Sequence, residues 1–417
     1  MPLGFYIIMA AQFFSALADN ALLAAAIVVL RDMDAPASYV PLLKTFFVVS
    51  YVVLAAFVGA FADSMPKWRV MFISNSIKIL GCAMMFAGVH PLVAYAVVGL
   101  GAAAYSPAKY GILTEYLPHR LLVVANGWIE GLTVAAIVLG FALGGALIEP
   151  AMMKNLLAFD LPFINTEGRM VIVIVCLIYI VAALFNLKVP DTGVDHKPLK
   201  KNPLYLAHEF GHCLKLLWQD RLGRISLAVT TLFWGAGATM QFILIDWAKD
   251  VLHLDLSKSI MMQAVVAAGV AVGAILAARL VSLKGAFRVI PIGIVMGLVI
   301  PVMNGVDSLW IAIPLLILIG GLSGFFLVPM NALLQHRGHI LMGAGHSIAV
   351  QNFNENLAIL IMTTLYAVMI KGEIALSWAL TLFGLFISGA MSLILWHHRS
   401  NQRRFDDTAY LDDTHRH

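Results

Sequence analysis

Long apolar runs, broken at short intervals by proline, glycine and charge, dominate the chain. Reading the runs against their breakers predicts twelve helices, near 5–30, 41–62, 69–88, 91–115, 126–150, 169–188, 225–248, 259–281, 287–306, 309–332, 341–370 and 373–396. A helix crosses the hydrocarbon core of a bilayer with about 20 mostly apolar residues, so each run is long enough to span. Tight turns join most of them: Asp63-Ser-Met-Pro-Lys67, His90-Pro91, Lys284-Gly285 and Lys371-Gly-Glu373. The long polar connection from about Pro190 to Arg224 sits midway and divides the spans six plus six. The N-terminus enters its first apolar run without a small-residue cleavage site, which reads as a first span and not as a signal peptide.

Two stretches 222 residues apart repeat each other. Gly99-Leu-Gly-Ala-Ala-Ala-Tyr-Ser-Pro107-Ala-Lys109 matches Gly321-Leu-Ser-Gly-Phe-Phe-Leu-Val-Pro329-Met-Asn331 in its glycine, small residues, proline and terminal polar residue. The repeat implies two related membrane halves. We therefore expect an all-α polytopic membrane protein with a six-helix half at 1–188, a basic linker at 189–224, a second six-helix half at 225–396 and a tail at 397–417.

Composition narrows the class. Hydrophobic residues make up 61% of the chain and charged residues 12%, against about 25% charged in soluble domains. A net charge of +4 gives no reason to expect a nucleic-acid partner. Cys82, Cys176 and Cys213 imply no disulfide framework. Lysine and arginine set the orientation, because they concentrate on the cytoplasmic side. With the N-terminus inside, eighteen fall in inner loops and tail and six in outer loops. Three more, Lys44, Lys78 and Lys109, lie within spans. The expectation is two cytoplasmic termini.

Ionisable residues inside a membrane are costly and mark functional sites by default. Span 1 carries Gln12, Ser15 and Asp19 at helical spacing, with Asn20 alongside. Span 4 carries Ser106, Lys109, Tyr110 and Thr114 on a narrow arc, with Pro107 loosening its backbone. In span 11, Ser347, Gln351, Asn354 and Glu355 form a stripe with Asn352 and Asn356 as its shoulder. Spans 7 and 10 add Trp234, Gln241, Asp246, Asn331 and Gln335. The plainer alternative is that Asp19 and Lys109 pair to lock the bundle and that the amides glue helices together. Lys44, near the outer end of its span, is expected to snorkel outward, and Lys78 with Asn75 to be structural.

Between spans 2 and 3 stands Gly59-Ala-Phe-Ala-Asp63-Ser-Met-Pro-Lys67-Trp-Arg69. It resembles the cytoplasmic loop motif of the major facilitator superfamily, G-x-x-x-D-R/K-x-G-R-R, with Ser64 and Pro66 as departures. Gly59 would let helices approach, and Asp63 with Lys67 and Arg69 would hold a closed cytoplasmic gate.

Further strings narrow the likeness: Asp19-Asn20-Ala-Leu-Leu, Tyr105-Ser-Pro-Ala-Lys109-Tyr110-Gly, Phe233-Trp-Gly-Ala-Gly237, Val328-Pro-Met-Asn331 and Gln351-Asn352-Phe-Asn-Glu355-Asn356. From about Gln12 to about residue 396 the chain resembles the bacterial lysophospholipid transporters of the major facilitator superfamily. That resemblance implies the twelve-helix major facilitator fold and a monomeric flippase of the bacterial inner membrane. Lysophosphatidylethanolamine and related lysolipids would pass from outer to inner leaflet, where an acyltransferase/acyl-carrier-protein synthetase would reacylate them. Asp19, Asn20, Lys109, Tyr110, Gln241, Gln351, Asn352 and Glu355 take the positions of the family's polar cavity. At Gln241 the family carries arginine, which would leave more of the phosphate to Lys109. A lysolipid needs one cationic anchor, polar amides and an apolar groove. Lys109 would meet the phosphate, and Asp19 or Glu355 the ethanolamine ammonium. No cofactor or metal is expected, because no nucleotide loop of the G-x-x-x-x-G-K-[ST] form occurs.

Two rivals remain. His208-Glu-Phe-Gly-His212 matches the zinc-protease string H-E-x-x-H. No third ligand follows at protease spacing, and Leu204, Phe210, Leu214 and Leu217 suit an amphipathic helix on the inner membrane surface. A major-facilitator exporter of drugs or other amphiphiles would use the same cavity physics without the family strings.

Overall fold

A computed structural model describes residues 2–117, 119–158, 164, 166–193, 202–281, 283–342 and 344–402. Lys197, Lys200 and Lys201 of the central connection and the tail beyond Gln402 lie outside the described residues. Fifteen α-helices carry the chain among those described. The N-terminal set is α1 (Leu3–Asp32), α2 (Tyr39–Val53), α3 (Ala55–Asp63), α4 (Lys67–Phe86), α5 (Pro91–Tyr116), α6 (His119–Leu147), α7 (Pro150–Leu157) and α8 (Glu167–Leu187). Then come α9 (Pro203–Gln219), α10 (Arg221–Asp250), α11 (Leu256–Leu280), α12 (Ile290–Val299), α13 (Leu309–Met342), α14 (Ala344–Lys371) and α15 (Leu376–Gln402).

Among the described residues ten helices are long and apolar enough to cross a membrane, or up to twelve if each of two bent pairs is one span. One bent pair is span 2, where α2 and α3 meet at 67° about Leu54. The other joins α6 to α7 at 69°. Helix starts follow local chemistry. Pro91, Pro150 and Pro203 open their helices, where the missing N–H costs nothing. Asp220 and Asp255 accept the free amides of Gly223 and Lys258 at 2.7 and 2.8 Å. Span 9 is mostly α12, flanked by 3-10 turns at Leu283–Val289 and Ile300–Gly305. Span 10 runs ten residues past its predicted end as α13, because no proline or glycine pair stops it before Met342.

Helices pack first within their own half. In the N-terminal half α1 lies on α6 and α8, α4 on α5 and α8, and α2 on α5. In the C-terminal half α11 lies on α13, α10 on α13 and α14, and α12 on α15. The halves meet along two seams, α2 with α14 and α6 with α11. The sequence repeat has a spatial counterpart. A Cβ at Gly99 would collide with the carbonyl of Phe47 on α2, and one at Gly273 on α11 with the carbonyl of Gly321. So each half brings its fourth span into backbone contact with its second at the same repeat position. Gly59 is different: a side chain added there would meet open space, so its predicted role in close helix approach is not what this structure uses.

At the end of the bundle opposite the chain termini, the two halves are hydrogen-bonded together. Thr45 and Thr363 share a hydrogen bond of 2.8 Å, and Ser257 donates to the carbonyl of Gly145 at 2.8 Å. At the terminal end α9 crosses beneath the bundle. It buries Cys213 and Leu217 against Leu227, Leu334 and Val350 of the C-terminal half and also touches α3. Its apolar face thus covers protein, not only a membrane surface as predicted. Leu204, 79% exposed, is left free at its start.

Candidate functional site

The polar residues of spans 1, 4 and 11 sort into two clusters. The first lies wholly within the N-terminal half. Lys78 on α4 donates to both carboxylate oxygens of Asp19 on α1 at 2.8 Å, and Tyr179 on α8 donates to Asp19 Oδ1 at 2.7 Å. Ser15 accepts from Lys78 at 2.9 Å and donates to Asn75 at 2.8 Å. Lys78 is 1% exposed, and the rings of Tyr105 and Tyr179 flank its ammonium. The ion-pair partner of Asp19 is therefore Lys78, and the plainer alternative of an Asp19–Lys109 lock is not what forms. Spacing put Asp19 on the correct face but said nothing of which neighbouring helix would supply the cation. The signal was present in Asn75 and Lys78, three apart on one face of span 3.

Gln12 continues the same face of α1, donating to Thr133 on α6 at 3.4 Å. Asn20 turns back on its own helix and donates to the carbonyl of Ala16 at 2.8 Å. Below Gln12, an apolar cleft of about 330 Å³ opens between α1 and α6, lined by Phe5, Met9, Phe13, Phe14, Trp128 and Leu132 among others.

The second cluster straddles the seam. On α14, Gln351 donates to Glu355 at 2.8 Å and to Asn331 of α13 at 2.7 Å. Its neighbour Asn352 reaches across to Ser106 on α5 at 3.3 Å. Lys109 stands one turn beyond Ser106, is 9% exposed, and lies with its ammonium over the Tyr110 ring at 4.5 Å. Gln351 and Glu355 are 8% and 7% exposed. The stripe and the cationic arc thus face one another at the junction of the halves. Asn356 donates to the carbonyl of Asn352 at 2.8 Å, and Asn354 to that of Val350 at 2.7 Å. The side chain of Thr114 lies outside the described residues.

Span 7 contributes less than expected. Gln241 is half-buried on α10, and its backbone carbonyl accepts from Gln263 at 2.6 Å. Asp246 accepts from Tyr366 at 2.6 Å. Trp234 is 39% exposed and Gln335 is exposed. A residue that sequence reasoning missed is Trp218. From α9 it donates to Asn354 at 3.1 Å and so ties the linker to the stripe.

At the 2–3 loop, Lys67 is buried, donates to the carbonyl of Ala62 at 2.7 Å and pairs with Glu115 at 3.3 Å. It binds the ends of α3, α4 and α5 together. Arg69 stacks at 5.1 Å on Trp68, and Asp63 ends α3 with its side chain outside the described residues. In the H-E-x-x-H string on α9, Glu209 pairs with His346 at 3.8 Å. Among the described residues no group of three His, Cys, Asp or Glu could hold a metal ion.

Comparison with known proteins identifies the family and the fold. Residues 8–363 match the Major Facilitator Superfamily. The chain is 42% identical over 365 residues to the lysophospholipid transporter LplT of Yersinia pestis (strain Pestoides F), covering 87% of this chain and 86% of that protein. LplT of Yersinia pseudotuberculosis serotype O:3 (strain YPIII) matches to the same extent. Among solved structures, the POT family transporter PepTSo superposes with a TM-score of 0.70 at 14% identity, over 97% of this chain and 99% of that one. A bacterial homolog of the human lysosomal transporter Spinster, inward-facing and unoccupied, gives 0.67 at 16% identity, over 95% and 96%. The chain belongs to the major facilitator superfamily and, within it, to the family of the bacterial lysophospholipid transporter LplT.

Proposed function

We propose that this protein moves lysophospholipids, lysophosphatidylethanolamine among them, from the outer to the inner leaflet of the bacterial inner membrane by alternating access. The observation that carries the proposal is the 42% identity to LplT over 87% of the chain. The geometry supports it in three ways. Lys109 can act as a point charge for the phosphate. Glu355 and the amides of Gln351 and Asn352 offer acceptors and donors to the rest of the headgroup. The cleft between α1 and α6 suits a single flexible acyl chain. Asp19 is fully engaged by Lys78 and Tyr179, which leaves Glu355 as the carboxylate for the ammonium.

With both termini in the cytoplasm, as the lysine and arginine count favours, the hydrogen-bonded far end is the outer face. The arrangement then corresponds to the inward-facing stage of the cycle. Rocking the halves would break the Thr45–Thr363 and Ser257–Gly145 contacts and open the site outward. Delivered lysolipid would be reacylated by an acyltransferase on the cytoplasmic side, and the carrier would act as a monomer.

The test is uptake of labelled lysophosphatidylethanolamine by spheroplasts lacking their own transporter. Wild type should accumulate the lipid. Lys109→Ala should lose at least 100-fold in uptake while remaining folded in the membrane. A wild type that moves no lysolipid under any ion gradient would overturn the proposal and turn attention to export of other amphiphiles.

A further inference from the structure

Three lysines lie within the spans, and the structure treats them differently. Lys78 is neutralised by Asp19 at 2.8 Å. Lys109 belongs to the seam cluster. Lys44 of α2 has neither role. Its ammonium lies over the Phe47 ring at 5.2 Å, and among the described residues no carboxylate lies within ion-pair distance of it. In its protonated form Lys44 therefore carries a charge that no described carboxylate balances.

The side chain, expected to snorkel outward, lies over a ring of its own helix. Lys44, Phe47 and Tyr51 share one face of α2, and Phe47 packs against Tyr95 of α5 at 5.1 Å. This face turns into the N-terminal half. Thr45, the next residue, makes the hydrogen bond to Thr363 that seals the far end. Lys44 is half-buried, one residue nearer the far end than the seal. An unpaired cation in such a place is unfavourable unless an anion visits it.

We propose that Lys44 is a second anion-binding residue, which takes the phosphate of the incoming substrate when the α2–α14 seam opens and precedes Lys109 along the path. Resting on the proposed lysolipid transport, it assigns Lys44 a specificity role: preference for headgroups with net negative charge. Aromatic rings around an ammonium keep it oriented and partly desolvated, which strengthens its attraction for a phosphate.

Uptake kinetics of wild type, Lys44→Met and Lys44→Arg test this with two acyl-labelled lipids. Lysophosphatidylglycerol carries net charge and lysophosphatidylethanolamine is zwitterionic. Lys44→Met should raise KM for lysophosphatidylglycerol about tenfold, the lower end of what a charge-assisted hydrogen bond contributes. The effect on lysophosphatidylethanolamine should be smaller, and Lys44→Arg should restore most of the loss. A second readout uses purified full-length protein and dodecyl phosphate as probe. The probe should raise Tm of wild type and not of Lys44→Met, whose own Tm should equal or exceed that of wild type. A Lys44→Met protein with unchanged KM, lowered Tm or an undiminished response to dodecyl phosphate would make Lys44 structural and overturn the inference. Should Lys44→Met fail to fold, Lys44→Gln carries the same measurements. If wild type moves no lysolipid, the transport proposal fails alone provided dodecyl phosphate still stabilises wild type through Lys44.

Discussion

The two polar clusters of this transporter use similar residues to opposite ends. Around Asp19, the hydrogen bonds link helices of one half, and five side chains from three helices form one network built on the Asp19–Lys78 pair. Around Gln351 and Asn352, Gln351 bonds tightly to α13 and α14, and Asn352 reaches the N-terminal half through an amide–hydroxyl contact of 3.3 Å. In the proposed cycle each half moves as a body, so a charge pair within one half would stay satisfied throughout. A contact across the seam would break each time the halves rock, so a weak one would lower the barrier. The difference teaches that polarity in the membrane is not itself the sign of a transport site. Whether the partners ride on the same moving body decides it.

Removing the cation of the first cluster should give the largest effect. Lys78→Ala leaves the Asp19 carboxylate without its ion-pair partner in an apolar half and should destabilise the protein by about 3–5 kcal/mol. Thermal unfolding in detergent reads the loss, and Asp19→Asn added to Lys78→Ala should recover part of it. A variant as stable as wild type would dissolve the contrast between the clusters. Asn352→Ala sharpens the comparison from the other side. It should cost at most about 1 kcal/mol of stability yet change the rate of uptake several-fold. Loss of stability without a change in rate would show that the seam contact is glue. The smallest expected effect belongs to Gln241→Arg. This change should be tolerated and should lower KM for lysophosphatidylglycerol about two- to threefold, since it places a cation where a half-buried glutamine now stands. A misfolded variant would instead show that the neighbourhood of Asp246 has been rebuilt.

The span pattern was legible because bilayer thickness turns a three-dimensional problem into run lengths and breakers. The half repeat was legible in its matching glycines and prolines. In each half the fourth span meets the second in backbone contact at that repeat position, through Gly99 in one and against Gly321 in the other. The seam stripe could also be read: Gln351, Asn352 and Glu355 are too polar for lipid and lie at helical spacing. What could not be read was pairing across helices. Asp19 finds Lys78 and not Lys109 because α1 packs on α8 while α8 packs on α4, an adjacency no spacing encodes. Depth along the chain suggested that Lys44 snorkels but could not show that its ammonium lies over Phe47, which docks on Tyr95. The linker helix was legible as amphipathic, but not the fact that its Trp218 ends on Asn354.

The glycines shared by α11 and α13 carry one more implication. Gly269 and Gly273 on one helix and Gly320 and Gly324 on the other leave no room for a single added carbon, since each would strike the opposing backbone. Two rods in such contact cannot slide or splay without separating. Spectroscopic labels placed on the outer surfaces of this pair should therefore report one unchanging separation in every stage of turnover. The pair supplies an internal ruler, against which any distance that does change, between α2 and α14 above all, can be assigned to the working stroke.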